Sequence, residues 1–402
     1  MNKIGKRLLR MDKRYGAQNY KSMDVIIRGG KGVYMYDVNG KKYYDYLSSY
    51  SSVNQGHCHP RLVEAINEQS KRLTLCSRAY YSEELCEYYG YMHSMFGYDR
   101  CLPMNTGVEG VETAIKLARL WGYKVKGIPN ETAEIIVAKN NFWGRSIAAC
   151  SSSSDPLCYQ NFGPYVPGFT CVKYNDLTDL ELKLRRGNIA GFLIEPIQGE
   201  AGVKIPDEDY LKRARELCNK YNVLLICDEV QTGLGRTGKM LASQDAKADM
   251  VVLGKALSGG MMPISCVLGN NNVMDLIEAG SHGSTYGGNP LAAKLGRVAV
   301  DIILNENLIR NSKKKGKVFR NSLKDYVKAG IVKDVRGKGL LNAIEFNTVE
   351  EAEKVVNKFR ENGLLTKITR GSTVRMCPPL TISKNEMNKS IDIIKESIRI
   401  IE

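Results

Sequence analysis

Between about residues 60 and 290, short unbroken apolar runs alternate with longer stretches whose apolar residues return every three to four positions. The runs at 133–138, 191–195, 223–227 and 250–253 read as strands buried on both faces, and segments such as 210–221 as the amphipathic helices that cover them. That alternation predicts βαβ units and a mostly parallel sheet, hence an α/β fold. Upstream the pattern differs. Residues 1–45 read as an arm with a hairpin, in which Asn39-Gly40 separates two alternating segments and signals a type I′ turn. After Asn289-Pro290 the pattern changes again, to helical stretches at 291–304 and 314–328 and short strands at 331–335, 340–346 and 373–376, with one helix between and one at the end. Three parts are therefore expected: an N-terminal arm and hairpin (1–45), a large α/β domain (46–290) and a smaller C-terminal α+β domain (291–402).

Two of the buried runs end in charge. Val223-Leu-Leu-Ile-Cys runs into Asp228, and Met250-Val-Val-Leu-Gly into Lys255. The carboxyl ends of parallel strands are where open α/β sheets bind ligands, and a charge there is costly unless something meets it. Either the two are separate structural residues, or one ligand meets both. Pyridoxal phosphate (PLP) would do so: its aldehyde condenses with a lysine and its ring nitrogen wants an acidic partner. Its phosphate would need backbone N–H groups aimed at one point. Asn105-Thr-Gly-Val-Glu109, at the start of a strong helical pattern, offers them, with Gly107 allowing close approach. The same residues equally suit a plain capping box, Thr106 capping and Glu109 answering it.

Composition narrows the picture further. The 402 residues are 43% hydrophobic and 25% charged, ordinary for a globular protein, and no apolar run approaches a membrane span. Eleven cysteines without a CxxC pair point to free thiols in a reducing compartment, and cytoplasmic localisation is expected. The basic start (Lys3, Lys6, Arg7, Arg10, Lys13, Arg14) is short, contains Asp12 and lacks serine, which argues against a targeting presequence. Cys58 between His57 and His59 has no second Cys/His pair at ligand spacing, so no metal is expected. The net charge of +15 suits anionic small molecules; no aromatic-interleaved basic groove suggests nucleic acid, and Lys313-Lys-Lys315 reads as a solvated helix face.

Taken in order, Asn105–Glu109, Asn141-Phe-Trp-Gly-Arg145, Glu195-Pro-Ile-Gln-Gly-Glu200, Asp228-Glu-Val-Gln231, Gly254-Lys255 and His282-Gly-Ser-Thr-Tyr-Gly-Gly-Asn-Pro290 resemble the class III aminotransferases. The resemblance runs from Tyr15-Gly16 to the final helix. It implies the aspartate-aminotransferase-type PLP fold (fold type I). Within the class, Tyr15–Tyr20, Leu47–His57 and Asn141–Arg145 are most similar to the ornithine-acting branch. One departure is Gly110-Val111, where alanine and a small residue are expected.

The resemblance assigns roles. Lys255 would hold PLP covalently and then carry the proton; Asp228 would keep the pyridine nitrogen protonated. Phe142 and Val230 would sandwich the ring, although Phe142 alone could be a core aromatic, and Gln231 would bond the 3′-oxygen. Gly107 and Val108 would bind the phosphate from their own subunit, Ser284 and Thr285 from the neighbouring one, which implies a homodimer. On the substrate side Arg145 would grip the α-carboxylate of L-ornithine, with Tyr20 and Tyr50 near its α-amino group and carboxylate. In a chain with 22 tyrosines, those two could equally be packing residues. Arg375 would hold 2-oxoglutarate, and Glu200 would neutralise Arg375 while ornithine is bound. The expected reaction is ping-pong transfer of the δ-amino group of ornithine to 2-oxoglutarate, giving glutamate and glutamate 5-semialdehyde, which closes to pyrroline-5-carboxylate. The alternative is another ω-amine donor, N-acetylornithine or 4-aminobutyrate.

Overall fold

A computed structural model describes residues 3–402. The fifteen strands run, in chain order, β1 Ile27–Lys31, β2 Tyr34–Asp37, β3 Lys42–Asp45, β4 Arg100–Met104, β5 Glu134–Ala138, β6 Phe169–Val172, β7 Ile189–Ile194, β8 Leu224–Asp228, β9 Met250–Leu253, β10 Ser265–Gly269, β11 Asp334–Lys338, β12 Leu341–Glu345, β13 Leu364–Leu365, β14 Ile368–Arg370 and β15 Thr373–Met376. Seven of them form the large sheet, in the order β4-β10-β9-β8-β7-β5-β6. Only β10 runs against its neighbours; β9-β8-β7-β5-β6 pair in parallel throughout. Every residue of β7, β8, β9 and β10 is buried, as a sheet covered on both faces requires.

Helix Gly107–Lys124 lies on this sheet and buries Val111, Ala114 and Ala118. The departure at Gly110 has a packing reason. A Cβ there would stand 2.8 Å from Val252 Cγ1 of β9, so glycine lets the helix sit against the sheet directly in front of the site. Val111 takes up the neighbouring space and is fully buried.

The N-terminal arm begins with a helix, Lys3–Tyr15, with Ile4, Leu8, Met11 and Tyr15 at helical spacing, while Met1 and Asn2 lie outside the described residues. Two local expectations need correction. The β2–β3 hairpin forms, with Tyr34 opposite Tyr44, but its turn is not type I′. The Gly40 N–H donates to Asp37 O and only Gly40 of the turn has a positive φ, 82°, so the loop is an ordinary turn closed by a left-handed glycine. The Asp37 carboxylate decides this by accepting from both Asn39 N–H and Lys41 N–H, at 2.8 and 2.9 Å. Finally, the 314–328 stretch is two helices, Leu308–Ser322 and Lys324–Lys328.

Two smaller sheets complete the fold. Strands β11-β12-β15-β14 form an antiparallel sheet, flanked by helices Val349–Glu361 and Lys384–Ile398. The hairpin sheet β1-β2-β3 takes β13 as its fourth strand, Leu364 pairing in parallel with Tyr44. Fully buried Arg236 ties these regions together. Its guanidinium donates to Asn54 Oδ1 at 2.6 and 3.1 Å, to Leu340 O at 3.0 Å and to Pro378 O at 2.6 Å.

Candidate active site

The strand order builds the site. Because β7, β8 and β9 are adjacent and parallel, the residues at their carboxyl ends converge: Glu195 just after β7, Asp228 at the end of β8 and Lys255 just after β9. They line one cavity of about 200 Å³. Its remaining walls come from Gly107 and Val108 at the helix start, from Phe142, and from Val230 and Gln231 beyond β8. Each predicted ring-contacting residue is thus present. Phe142 is a half-buried wall, not a core aromatic.

Burial sets the charge states. It pushes the Asp228 carboxyl up to about 6, against the Val230 N–H at 2.9 Å and the Lys255 charge, which favour the ionised form. Burial, reinforced by the Asp228 charge, pushes Glu195 up to about 8, against a Phe142 N–H at 3.0 Å. Burial thus favours the neutral form more strongly at Glu195 than at Asp228. The Lys255 ammonium is held below its ordinary value by burial, with Arg375 adding to the effect and Glu200 and Asp228 opposing it. Lys255 also adopts a left-handed conformation with φ 47°, a strain of order 1 kcal/mol that the surrounding packing holds.

At the helix start the capping box forms without consuming the donors that a phosphate would need. The Thr106–Glu109 capping box forms, with Glu109 Oε2 accepting from Thr106 N–H at 2.8 Å and from Asn105 N–H at 2.9 Å. The box fixes the loop yet uses neither the Gly107 nor the Val108 N–H; among the described residues these two donors have no acceptor. Gln231 Oε1 is likewise buried without a partner. Free donors at a helix N-terminus, an unsatisfied amide, a buried acid and a buried amine of lowered basicity suit a compact phosphorylated heterocycle carrying an aldehyde.

The substrate-side residues lie beside the cavity. Arg375, only 1% accessible, bonds Glu200 Oε1 through Nη2 at 2.8 Å, and among the described residues its Nε and Nη1 have no partner. Burial pushes Glu200 up, but the Arg375 and Lys255 cations outweigh this and hold the carboxyl below its usual range. The Tyr50 ring stands 5.5 Å from the Arg375 guanidinium. Its segment is unusual: Ser48, Ser49, Tyr50 and Ser51 all have positive φ, forming a left-handed turn. Asp45 holds it by accepting from Leu47 and Ser48 N–H at 2.9 and 2.8 Å, and Ser48 Oγ donates to Cys377 O.

Arg145 is exposed, 5.6 Å from the Phe142 ring, with no carboxylate within 4 Å among the described residues. Tyr20 is 63% exposed. Tyr20 and Arg145 both act electrostatically on the Tyr50 phenol, so the four residues share one neighbourhood. Ser284 and Thr285 do not line the cavity of their own chain; Ser284 Oγ accepts from Asn105 Nδ2 at 3.0 Å and Thr285 is exposed.

Sequence reasoning gave Glu195 no role, although the signal was there: it ends the apolar run of β7 as Asp228 ends that of β8. The two histidines around Cys58 face different partners, His57 Nε2 lying 2.8 Å from Asp45 and His59 Nε2 2.9 Å from Glu306. No helix among the described residues is long and apolar enough to cross a membrane.

The family model for class-III aminotransferases matches residues 15–398, so the chain belongs to that family, whose members use PLP. An ornithine aminotransferase named mitochondrial, from Drosophila melanogaster, is 52% identical over 96% of this chain and 90% of its own length. Among solved structures, ornithine aminotransferase from Toxoplasma gondii, in which PLP partly occupies the active site, superposes with a TM-score of 0.97 at 46% identity over 99% of this chain and 94% of that one. Acetylornithine aminotransferase from Elizabethkingia anophelis gives 0.90 at 46% identity, over 98% of this chain and 99% of that one. The fold is therefore that of the PLP aminotransferases, a mixed α/β architecture with a large, mostly parallel sheet and a smaller antiparallel one.

Proposed function

We propose that this chain transfers the δ-amino group of L-ornithine to 2-oxoglutarate, forming glutamate 5-semialdehyde, which cyclises to pyrroline-5-carboxylate, and glutamate. The observation that carries this reading is the Arg375–Glu200 pair at 2.8 Å beside the lysine cavity. A dibasic donor needs a site without a bare cation, whereas a dicarboxylate acceptor needs one with it. A guanidinium whose carboxylate partner can be exchanged for substrate serves both.

PLP, when bound, supplies an electron sink that lets the carbon bearing the reacting amine lose a proton. Lys255 Nζ would hold the cofactor and later move that proton, work suited to an amine whose basicity burial has lowered. Asp228 would keep the ring nitrogen charged, and Glu195 beside it, where burial favours the neutral form more strongly, would compete less for that cation. Phe142 and Val230 would face the two sides of the ring, Gln231 would bond its 3′-oxygen, and the Gly107 and Val108 N–H groups would bind the phosphate. At the far end Arg145 would take the α-carboxylate of ornithine, with Tyr20 and Tyr50 about its α-amino group. Among the described residues Arg145 has no carboxylate within 4 Å, which supports that role.

Ser284 and Thr285 would complete the phosphate site of a second copy, making a homodimer. Neighbouring Tyr286 is 58% exposed, as an interface residue in an isolated chain would be. Light scattering on the purified protein would return twice the 44.8 kDa chain mass; a monomer would contradict it. A cytoplasmic location is part of the proposal, with fractionation as its check.

The second reading, N-acetylornithine as donor, draws on the likeness to the Elizabethkingia enzyme. Tyr50 favours ornithine, because a free α-amino group needs a polar neighbour that an acetylated or absent one does not. Steady-state kinetics with ornithine, N-acetylornithine and 4-aminobutyrate decide between them. The highest kcat/KM is expected for ornithine, and preference for either other donor overturns the assignment.

A further inference from the structure

The Lys313-Lys-Lys315 run is not a uniformly solvated helix face. Lys315 is half-buried and bonded to Asn311, whereas Lys313, itself exposed, lines a second, open cavity of about 520 Å³. Lys317 and Arg320 follow it there from the same helix, Leu308–Ser322. Lys338 comes from the end of β11, Lys212 from helix Tyr210–Lys220, and Lys239 from the loop beyond β8. Of these six cations only Lys239 is neutralised, by Asp245. Among the described residues no carboxylate lies within 4 Å of the other five, and the cavity's remaining acids are just Asp207 and Glu208.

Three more features suit this cavity to a ligand. Arg320 donates to Gly339 O at 3.1 Å and Asn342 Oδ1 at 2.6 Å, both neutral, and burial holds its guanidinium below the ordinary value with no anion to restore it. Thr237 Oγ1, in the wall, is buried and has no hydrogen-bond partner. The lining also includes the apolar side chains of Pro196, Ile197, Ile205 and Leu211. The volume lies in the range of small-molecule sites. Unpaired cations gathered with apolar side chains around one cavity make a site for charge carried on a carbon body.

We infer that this cavity binds a small organic anion bearing two or more negative charges, its charged groups against Lys313, Lys317, Arg320 and Lys338 and its body over Ile205 and Leu211. The site is distinct from the lysine cavity but shares its framework. Pro196 and Ile197 directly follow Glu195, and Ser243, also in the lining, donates to Glu229 next to Asp228 through both N–H and Oγ. The inference stands whatever donor the enzyme prefers.

Isothermal titration of the PLP-saturated protein with adenosine monophosphate and, separately, with citrate tests it. At least one should bind with Kd below about 1 mM. Binding of the nucleotide alone identifies a phosphate on an apolar body, of citrate alone a polycarboxylate, and of both a site selecting on charge. The Lys313→Glu/Lys317→Glu protein should bind at least about tenfold more weakly. Lys338→Gln, a milder change at an exposed side chain, should weaken binding in the same sense and covers the case in which the double variant fails to fold. Binding of neither probe, or affinity unchanged in a folded variant, overturns the inference.

Discussion

Replacing Glu200 by glutamine tests the proposed exchange at Arg375 directly. The substitution keeps the shape and one acceptor oxygen but removes the negative charge facing a guanidinium that is 1% accessible. Breaking a buried ion pair costs about 3–5 kcal/mol. Glu200 is 29% accessible, and the glutamine oxygen still accepts from Nη2, so the loss falls to roughly 2 kcal/mol. At about 1.4 kcal/mol per factor of ten, the bare cation should lower kcat/KM for ornithine by about 30-fold. The effect on 2-oxoglutarate has the opposite sign, because Arg375 no longer has to leave a carboxylate before taking the acceptor. Its half-reaction should hold its rate or speed up. Stopped-flow absorbance of each half-reaction, run separately, gives both numbers. Equal loss in the two halves, or none in the ornithine half, would refute the exchange.

Other outcomes follow from the same structure. Asp228→Asn should lower kcat by about 10²-fold or more, read by steady-state turnover at saturating PLP, since a charged partner in a dry site contributes roughly 3–4 kcal/mol. Glu195 should make the cofactor-free protein less stable as pH rises. Its folded pKa is about 8 against an ordinary 4.5, so the folded state keeps a proton that the unfolded chain releases between those values. Glu195→Gln should therefore raise Tm more at pH 8 than at pH 5, and an equal change at both would contradict the assignment. Arg236→Ala should cost more than about 3 kcal/mol in urea unfolding, because it strands Asn54, Leu340 and Pro378 acceptors and opens a hole between three regions of the chain.

Local patterning carried much of the fold. The runs that became β5, β7, β8 and β9 are apolar on both faces, and β15 begins and ends where its alternation says. Strand β10 escaped because Ser265 and Gly269 leave only three apolar residues, Cys266-Val-Leu268, in its run; its reversed direction is set by pairing with β4 and β9, which no local pattern encodes. Strand β13 is only two residues long and exists because β3 offers it an edge. At the site, Asp228 and Lys255 were legible one by one as charges ending buried runs, but their convergence depends on β8 and β9 being neighbours. The left-handed turn at Ser48–Ser51 had no signal at all: serine and tyrosine do not favour it, and Asp45 imposes it from outside the turn.

The central claim is that Lys255 carries the cofactor. Reducing the PLP-loaded protein with borohydride and mapping the pyridoxyl group by peptide mass spectrometry tests it without any turnover. The account predicts the group on Lys255 Nζ and its absence, with loss of the visible absorbance, in Lys255→Ala. Modification of a different lysine, or an unchanged spectrum in that variant, would contradict it.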